Sequence, residues 1–240
     1  MNKLLSVVIP MYNESGICAD TAAKLDEYLS SQFPEKNYEV IFVNDGSKDG
    51  CDKIIAGIAD GDRIRLGGYP VNRGKGGAVK EGVLNAVGDY ILYTDCDLAY
   101  GLPLIGDMYR EITSKGSDLV IGSRNLKADG YEGYTALRKF MSKTYIKVIS
   151  LIAGFHYTDS QCGFKCMKRE AGQKIFNEVT TNGFAFDLEV LILADKFGMK
   201  VTEFPVRIIN HRESESKVNP IKDTFRMLKD VRRMKKLHKK

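Results

Sequence analysis

Residues 89–97 read Asp-Tyr-Ile-Leu-Tyr-Thr-Asp-Cys-Asp. The run from Tyr90 to Tyr93 predicts a buried strand over 89–94 that delivers two carboxylates, Asp95 and Asp97, at its carboxyl end. Upstream the pattern recurs. Leu4 to Ile9 is an apolar run closed by Pro10, and Tyr38 to Val43 is another, stopped by Asn44-Asp-Gly-Ser47. Helical periodicity falls between them at about 17–31, 48–60 and 75–87, with a short strand at 63–66. Downstream, Asp118 to Ile121 is a strand followed by Gly122-Ser-Arg124, then helices at 134–153 and 184–197 and a strand at 201–209. Strands alternating with helices predict right-handed βαβ units: an α/β fold with a mostly parallel central sheet flanked by helices. In such open sheets, polar groups gathered just after strands lie where ligands bind. With no internal repeat or low-complexity linker, the chain reads as one domain over 1–219 followed by a basic amphipathic helix over 220–240.

Composition agrees with a globular domain. Of 240 residues 43% are apolar and 28% charged, too apolar for a disordered chain and long enough to fold without disulfide staples. The best apolar run, Val148 to Phe155, is preceded by Lys147 and falls short of the roughly 18 residues needed to cross a bilayer. The first ten residues do not read as a secretory signal. Five cysteines without framework spacing suggest a reducing cytosol. Cys162-x-x-x-Cys166 lacks a partner pair, so its thiols read as core residues rather than zinc ligands. His156 and His211 form no nucleophile grouping with Ser and Asp.

The net charge of +5 is unevenly placed. Residues 222–240 hold nine basic against two acidic side chains, a surplus of +7, which leaves about −2 for the remaining chain. Within that tail Ile221, Phe225, Leu228, Val231, Met234 and Leu237 recur at steps of three or four. That pattern fits two states equally: a basic amphipathic helix on an anionic membrane surface, or a helix packed on the domain with a solvated charged face.

Two features carry candidate chemistry. Residues i and i+2 of a strand face the same side, so Asp95 and Asp97 could share one hard cation; alternatively they are a solvated turn. Mg²⁺ or Mn²⁺ held there would bridge a substrate diphosphate that carboxylates alone repel. The stretch Asn72-Arg-Gly-Lys-Gly-Gly77 is neither a P-loop, since Gly76 follows Lys75, nor a dinucleotide fingerprint, since position 79 is Val. It reads as a cationic loop at a helix N-terminus suited to a diphosphate, or as a structural turn.

Taken together these residues resemble family 2 glycosyltransferases of the GT-A fold, and among them the polyprenyl-phosphate glycosyltransferases. Ile9-Pro-Met-Tyr-Asn-Glu14, Val43-Asn-Asp-Gly-Ser47, Asn72-Arg-Gly-Lys-Gly-Gly-Ala78, Asp95-Cys-Asp97 and Gly122-Ser-Arg124 occur in that family's order. So do Asp159-Ser-Gln-Cys-Gly-Phe-Lys165, Phe184-Ala-Phe-Asp-Leu-Glu189 and Arg212-Glu-Ser-Glu-Ser-Lys217. The Asp159 and Phe184 segments look closest to the dolichyl-phosphate β-glucosyltransferase branch, although Phe184 stands where that branch usually has Trp.

The resemblance implies that Pro10, Tyr12, Glu14 and Asp45 hold the nucleoside, with Lys75 in the nucleotide loop. It implies that Asp95 and Asp97 carry Mg²⁺ or Mn²⁺ and the donor diphosphate. Arg124, Arg138, Arg212, Ser216 and Lys217 would gather the acceptor phosphate, and Asp159 would be a base, a sugar contact or a structural hydrogen bond. The implied reaction is an inverting transfer of a hexose, UDP-glucose favoured, to undecaprenyl or dolichyl phosphate. The implied setting is cytoplasmic and peripheral on an anionic membrane. A soluble glycan or protein acceptor is the alternative. A module that binds nucleic acid through the tail ranks last, because it gives the acidic pair no role.

Overall fold

The computed structural model describes residues 4–33, 37–127, 129, 154, 157–210 and 230–238. Among these described residues seven strands form one sheet: β1 (Leu5–Met11), β2 (Tyr38–Asp45), β3 (Ile64–Tyr69), β4 (Tyr90–Tyr93), β5 (Leu119–Ser123), β6 (Lys165–Lys168) and β7 (Val201–Pro205). Their spatial order is β3-β2-β1-β4-β6-β5-β7. All neighbours are parallel except β6, which runs antiparallel to both β4 and β5. The helices are α1 (Cys18–Gln32), α2 (Cys51–Ile58), α3 (Lys75–Asn85), α4 (Pro103–Lys115), α5 (Arg169–Glu178), α6 (Phe186–Lys196) and α7 (230–237).

The continuous apolar runs of β1 and β2 are explained by burial on both faces. Leu5, Val7, Ile9 and Met11 join the core beneath α1, α2 and α4, while Val8 joins the core beneath α3, α5 and α6. In β2, Val40 and Phe42 face the first layer and Ile41 and Val43 the second. Each such side chain contributes roughly 1.5–3 kcal/mol of transfer free energy. α3 lies close on β1 because residue 82 is Gly: a methyl group there would stand 2.3 Å from Val8 Cγ1.

Helices α4 and α5 and strand β6 are not among the elements read from the sequence. α4 nevertheless has a helical signature: Pro103 in its first turn, buried Ile105, Met108 and Ile112, and Gly116 in the left-handed region after its end. β3 runs past the expected 63–66 because Gly67 and Gly68 continue the ladder with β2. β7 is shorter than the expected 201–209. Its partner β5 ends in a 3₁₀ turn at Arg124–Leu126, and residues 209 and 210 bond instead to the Ala99 carbonyl. The expected helix at 134–153 lies outside the described residues.

α7 is the described part of the basic tail. Val231 and Met234 are fully buried in the core shared with α5 and α6, and the flanking Arg232, Arg233, Lys235 and Lys236 are exposed. Over these residues the tail's apolar stripe is occupied by the domain itself, although Leu237 is 56% exposed. Among the described residues no helix is long and apolar enough to cross a membrane.

Candidate active site

From β1 the chain moves outward to β2 and β3, then returns to place β4 on the other side of β1. The crevice beyond the carboxyl ends of β1 and β4 is therefore the switch point of the sheet, where open α/β folds take ligands. Tyr12 lies on its rim, 46% exposed, with Pro10 and Glu14 half-buried beside it. The loops after β1 and β2 are tied together: Asn13 N–H donates to Ser47 Oγ (3.0 Å), Lys48 N–H to Asn13 Oδ1 (3.0 Å) and Ser15 N–H to Asp49 Oδ2 (2.7 Å). Among the described residues, the non-glycine residues with positive φ are Asn13 (57°) and Leu98 (50°), one after β1 and one immediately after Asp97. Backbone held in this region concentrates at sites that demand a fixed geometry.

Asp45, at the end of β2, is buried and directed at the glycine stretch. Its carboxylate accepts the N–H groups of Arg73 (2.7 Å) and Gly74 (2.9 Å) and Nδ2–H of Asn72 (2.9 Å). On the far side of the stretch, Gly77 N–H donates to the Asn182 carbonyl (3.2 Å). A methyl on Gly76 would stand 2.7 Å from the Thr181 carbonyl oxygen, and one on Gly74 2.6 Å from that of Asn182. The glycines thus permit close backbone packing. The loop's charge lies in Lys75 and in Arg73, whose guanidinium sits 4.1 Å from the Tyr69 ring centre.

Lys75 opens α3 and its ammonium pairs with Asp95 Oδ1. Burial pulls the Lys75 pKa down, but the carboxylates of Asp95, Asp187 and Asp97 outweigh it and hold the ammonium above its ordinary value. Asp97 shifts upward through burial and the nearby Asp95 charge, against the Ala99 N–H it accepts. The Thr94 hydroxyl, just before this pair, is buried with no hydrogen-bond partner among the described residues. Gly163 backs the ion pair: a methyl there would lie 2.6 Å from Lys75 Nζ and 3.3 Å from Asp95 Oδ2.

Beneath lies a second layer of charge. Lys165, fully buried at the start of β6, pairs with Asp187 of α6 and donates to the Cys162 carbonyl (2.6 Å). Tyr93 Oη–H donates to the same Asp187 carboxylate (2.8 Å). Arg124 forms a bidentate pair with Asp159, Nε to Oδ2 at 2.7 Å and Nη2 to Oδ1 at 3.0 Å. Asp159 is fully buried, with both oxygens engaged by Arg124, so its geometry is that of the structural hydrogen bond among the roles implied for it.

The structure therefore brings Pro10, Tyr12, Glu14, Lys75, Asp95 and Asp97 to one crevice, with Asp45 shaping its glycine loop. Arg138, Arg212, Ser216 and Lys217 lie outside the described residues. Lys165, Asp187 and Gly163 were not singled out as site residues in the sequence. A lysine in the strand Lys-Cys-Met-Lys and an aspartate inside the apolar helix Phe-Asp-Leu-Glu-Val-Leu-Ile-Leu were the available signal, since buried charges require partners.

Among the described residues no three His, Cys, Asp or Glu side chains are grouped as a metal cage. Two neighbouring carboxylates are nonetheless a suitable donor set for Mg²⁺ or Mn²⁺, which commonly take one or two carboxylates plus substrate phosphates and waters.

Comparison with known proteins agrees with this architecture. The model of the family described as glycosyl transferase family 2 matches residues 6–176. A dolichyl-phosphate beta-glucosyltransferase of Dictyostelium discoideum is 33% identical over 254 aligned positions, covering 98% of this chain and 74% of that protein. One of Trichomonas vaginalis is 36% identical, covering 88% of this chain and 66% of that protein. The chain thus spans about two thirds to three quarters of these relatives' length. A crystal structure of glucosyl-3-phosphoglycerate synthase from Mycobacterium tuberculosis with Mn²⁺, UDP and glucosyl-3-phosphoglycerate superposes with a TM-score of 0.65 at 18% identity. It covers 97% of this chain and 78% of that one, and shares the fold. A mostly parallel sheet of the GT-A type, an acidic pair at its switch point and a family match over most of the chain lead to one conclusion: the protein belongs to glycosyl transferase family 2.

Proposed function

We propose that the protein is a metal-dependent inverting glycosyltransferase that moves a hexose from a nucleotide-diphosphate sugar, UDP-glucose favoured, to a polyprenyl phosphate at the cytoplasmic face of a membrane. The observation that carries this reading is the Lys75, Asp95 and Asp97 constellation at the switch point of the sheet. The relatives named dolichyl-phosphate beta-glucosyltransferase support the acceptor class. Asp95 and Asp97 would hold Mg²⁺ or Mn²⁺, which when bound neutralises charge on the departing diphosphate.

Pro10, Tyr12 and Glu14 would receive the nucleoside, and Asp45 would act by fixing the glycine loop. The acceptor phosphate oxygen attacks the anomeric carbon, and the bond to the donor's β-phosphate oxygen breaks with its electron pair, inverting the centre. A phosphate monoester is already largely dianionic at neutral pH, with a second pKa near 6, so no strong base is needed. Asp159 would instead hold Arg124 toward the acceptor side, where Arg138, Arg212, Ser216 and Lys217 would complete the phosphate site. Lys75 would stabilise charge on the leaving diphosphate.

At the membrane, the exposed basic face of α7 would meet anionic headgroups, since Val231 and Met234 are committed to the core. The test offers purified protein a panel of radiolabelled nucleotide sugars with undecaprenyl or dolichyl phosphate and Mg²⁺ or Mn²⁺. Chloroform-extractable product identifies donor and acceptor together. Transfer only to water-soluble acceptors would overturn the lipid assignment.

A further inference from the structure

Glu189 is fully buried in the first turn of α6, two residues after Asp187. Its carboxylate accepts three donors from one short segment: Thr180 N–H (3.1 Å), Thr180 Oγ1–H (2.9 Å) and Thr181 N–H (2.8 Å). A fourth partner comes from the end of the chain. His238, only 6% exposed, places Nε2 2.7 Å from Glu189 Oε1. These bonds hold the Glu189 carboxyl below its ordinary value even though burial opposes it.

The segment so held is the one that packs on the glycine loop. The Thr181 carbonyl stands where only a glycine fits at 76, and the Asn182 carbonyl accepts Gly77 N–H. Lys80 Nζ, a turn and a half along α3, donates to the Val179 carbonyl (2.7 Å). Between Glu189 and Lys75 there is thus an unbroken path: carboxylate, Thr180–Asn182 backbone, Gly74–Gly77 backbone, and the ammonium that meets Asp95.

We infer that Glu189 is a positioning residue for the glycine loop, and that the terminal helix α7 completes its coordination through His238. On this view the basic tail reaches into the back of the site and fixes the loop that receives the donor diphosphate. The inference rests on the donor-site reading above for its kinetic consequence, but the loop's rigidity is measurable without it.

The experiment compares the full chain with His238→Leu and His238→Gln by hydrogen exchange and by kinetics with the nucleotide sugar. Leucine keeps bulk and removes the polar contact, whereas glutamine retains a donor for Glu189. We expect His238→Leu to lose exchange protection at amides 73–78 and 180–182. The donor KM should rise about fivefold with kcat within about twofold, because what is lost is ground-state placement of the donor. His238→Gln should restore both. Unchanged loop protection in His238→Leu, with only a lower melting temperature, would overturn the inference. A fall in kcat with unaltered KM would do the same. Should no nucleotide sugar be turned over by the parent protein, the functional proposal fails while the exchange data still decide the coupling.

Discussion

Lys75, the first residue of α3, forms an ion pair with Asp95, in the loop just beyond β4. Two segments that are neighbours across the switch point are joined by opposite charges. Replacing Lys75 with Met removes the cation proposed to face the diphosphate and takes the ammonium away from Asp95. We expect kcat to fall about 10²-fold, as for loss of one preorganised electrostatic group. Steady-state transfer assays at saturating donor check this.

Asp97→Ala tests the acidic pair itself. The side chain is only partly buried and its hydrogen bond in the structure is to Ala99 N–H, so the fold should persist. We expect transfer to disappear while circular dichroism and the melting temperature stay near those of the parent. Undiminished transfer in this variant, with chelator-insensitive activity in the parent, would remove the metal assignment.

Gly163→Ala probes the same pair from behind. The new methyl would sit 2.6 Å from Lys75 Nζ, a flexible side-chain end that can shift. Stability should change little, yet a displacement near 1 Å of a positioning group can cost about 10²-fold in rate. Equal activity with an intact melting curve would show that the Lys75 and Asp95 contact is dispensable.

The buried Lys165 and Asp187 pair makes a separate prediction about stability. Lys165→Met strands the Asp187 carboxylate, and breaking a buried pair from one side costs about 3–5 kcal/mol. Urea unfolding should register that loss. Lys165→Met with Asp187→Leu should recover much of it, since no unpaired charge remains.

Asp49 supplies the pH dependence. Burial works against its charged form, but the N–H groups of Ser15 and Cys51 outweigh that and bring its pKa down from 3.8 to about 2. A folded-state pKa below the unfolded one means the stabilisation is complete above pH 3.8 and disappears as pH falls through about 2. The stability gap between the parent and Asp49→Asn should therefore close as unfolding is followed from pH 5 down to pH 2.

Much of the first half of the fold was legible because its strands are buried on both faces and each ends in polar residues. Strands lie at each of the three apolar runs, Leu5 to Met11, Tyr38 to Asp45 and Tyr90 to Tyr93, but β1 continues through Pro10 and β2 through Asn44, because Pro10 pairs with Val43 and Met11 with Asn44 beyond the residues expected to stop them. β6 was not legible: Lys165-Cys-Met-Lys168 carries a charge at each end, and only the partner Asp187, 22 residues away, makes the first one burial-compatible. The acidic pair was readable from its position after β4. The work of Asp45 and Asp159 was not, because local sequence does not reveal that the one binds N–H groups 28 residues on and the other a guanidinium 35 residues back. The tail's periodicity was visible, but the choice between lipid and core for Val231 and Met234 depends on α5 and α6, which meet them only in three dimensions.

The reversed strand β6 has an architectural consequence. The chain leaves the sheet at the end of β5 and re-enters beside it at Lys165, with Ile121 paired to Lys165 and Gly122 N–H donating to the Phe164 carbonyl (2.9 Å). Ser123 Oγ and Thr158 Oγ1 are 2.6 Å apart, and Arg124 grips Asp159, so the exit and the return are bolted to each other. The bonds that hold Ile121 opposite Lys165 thus lie within residues 121–124 and 158–165 themselves, so the register of β5 against β6 is set locally, at the point where the chain reverses.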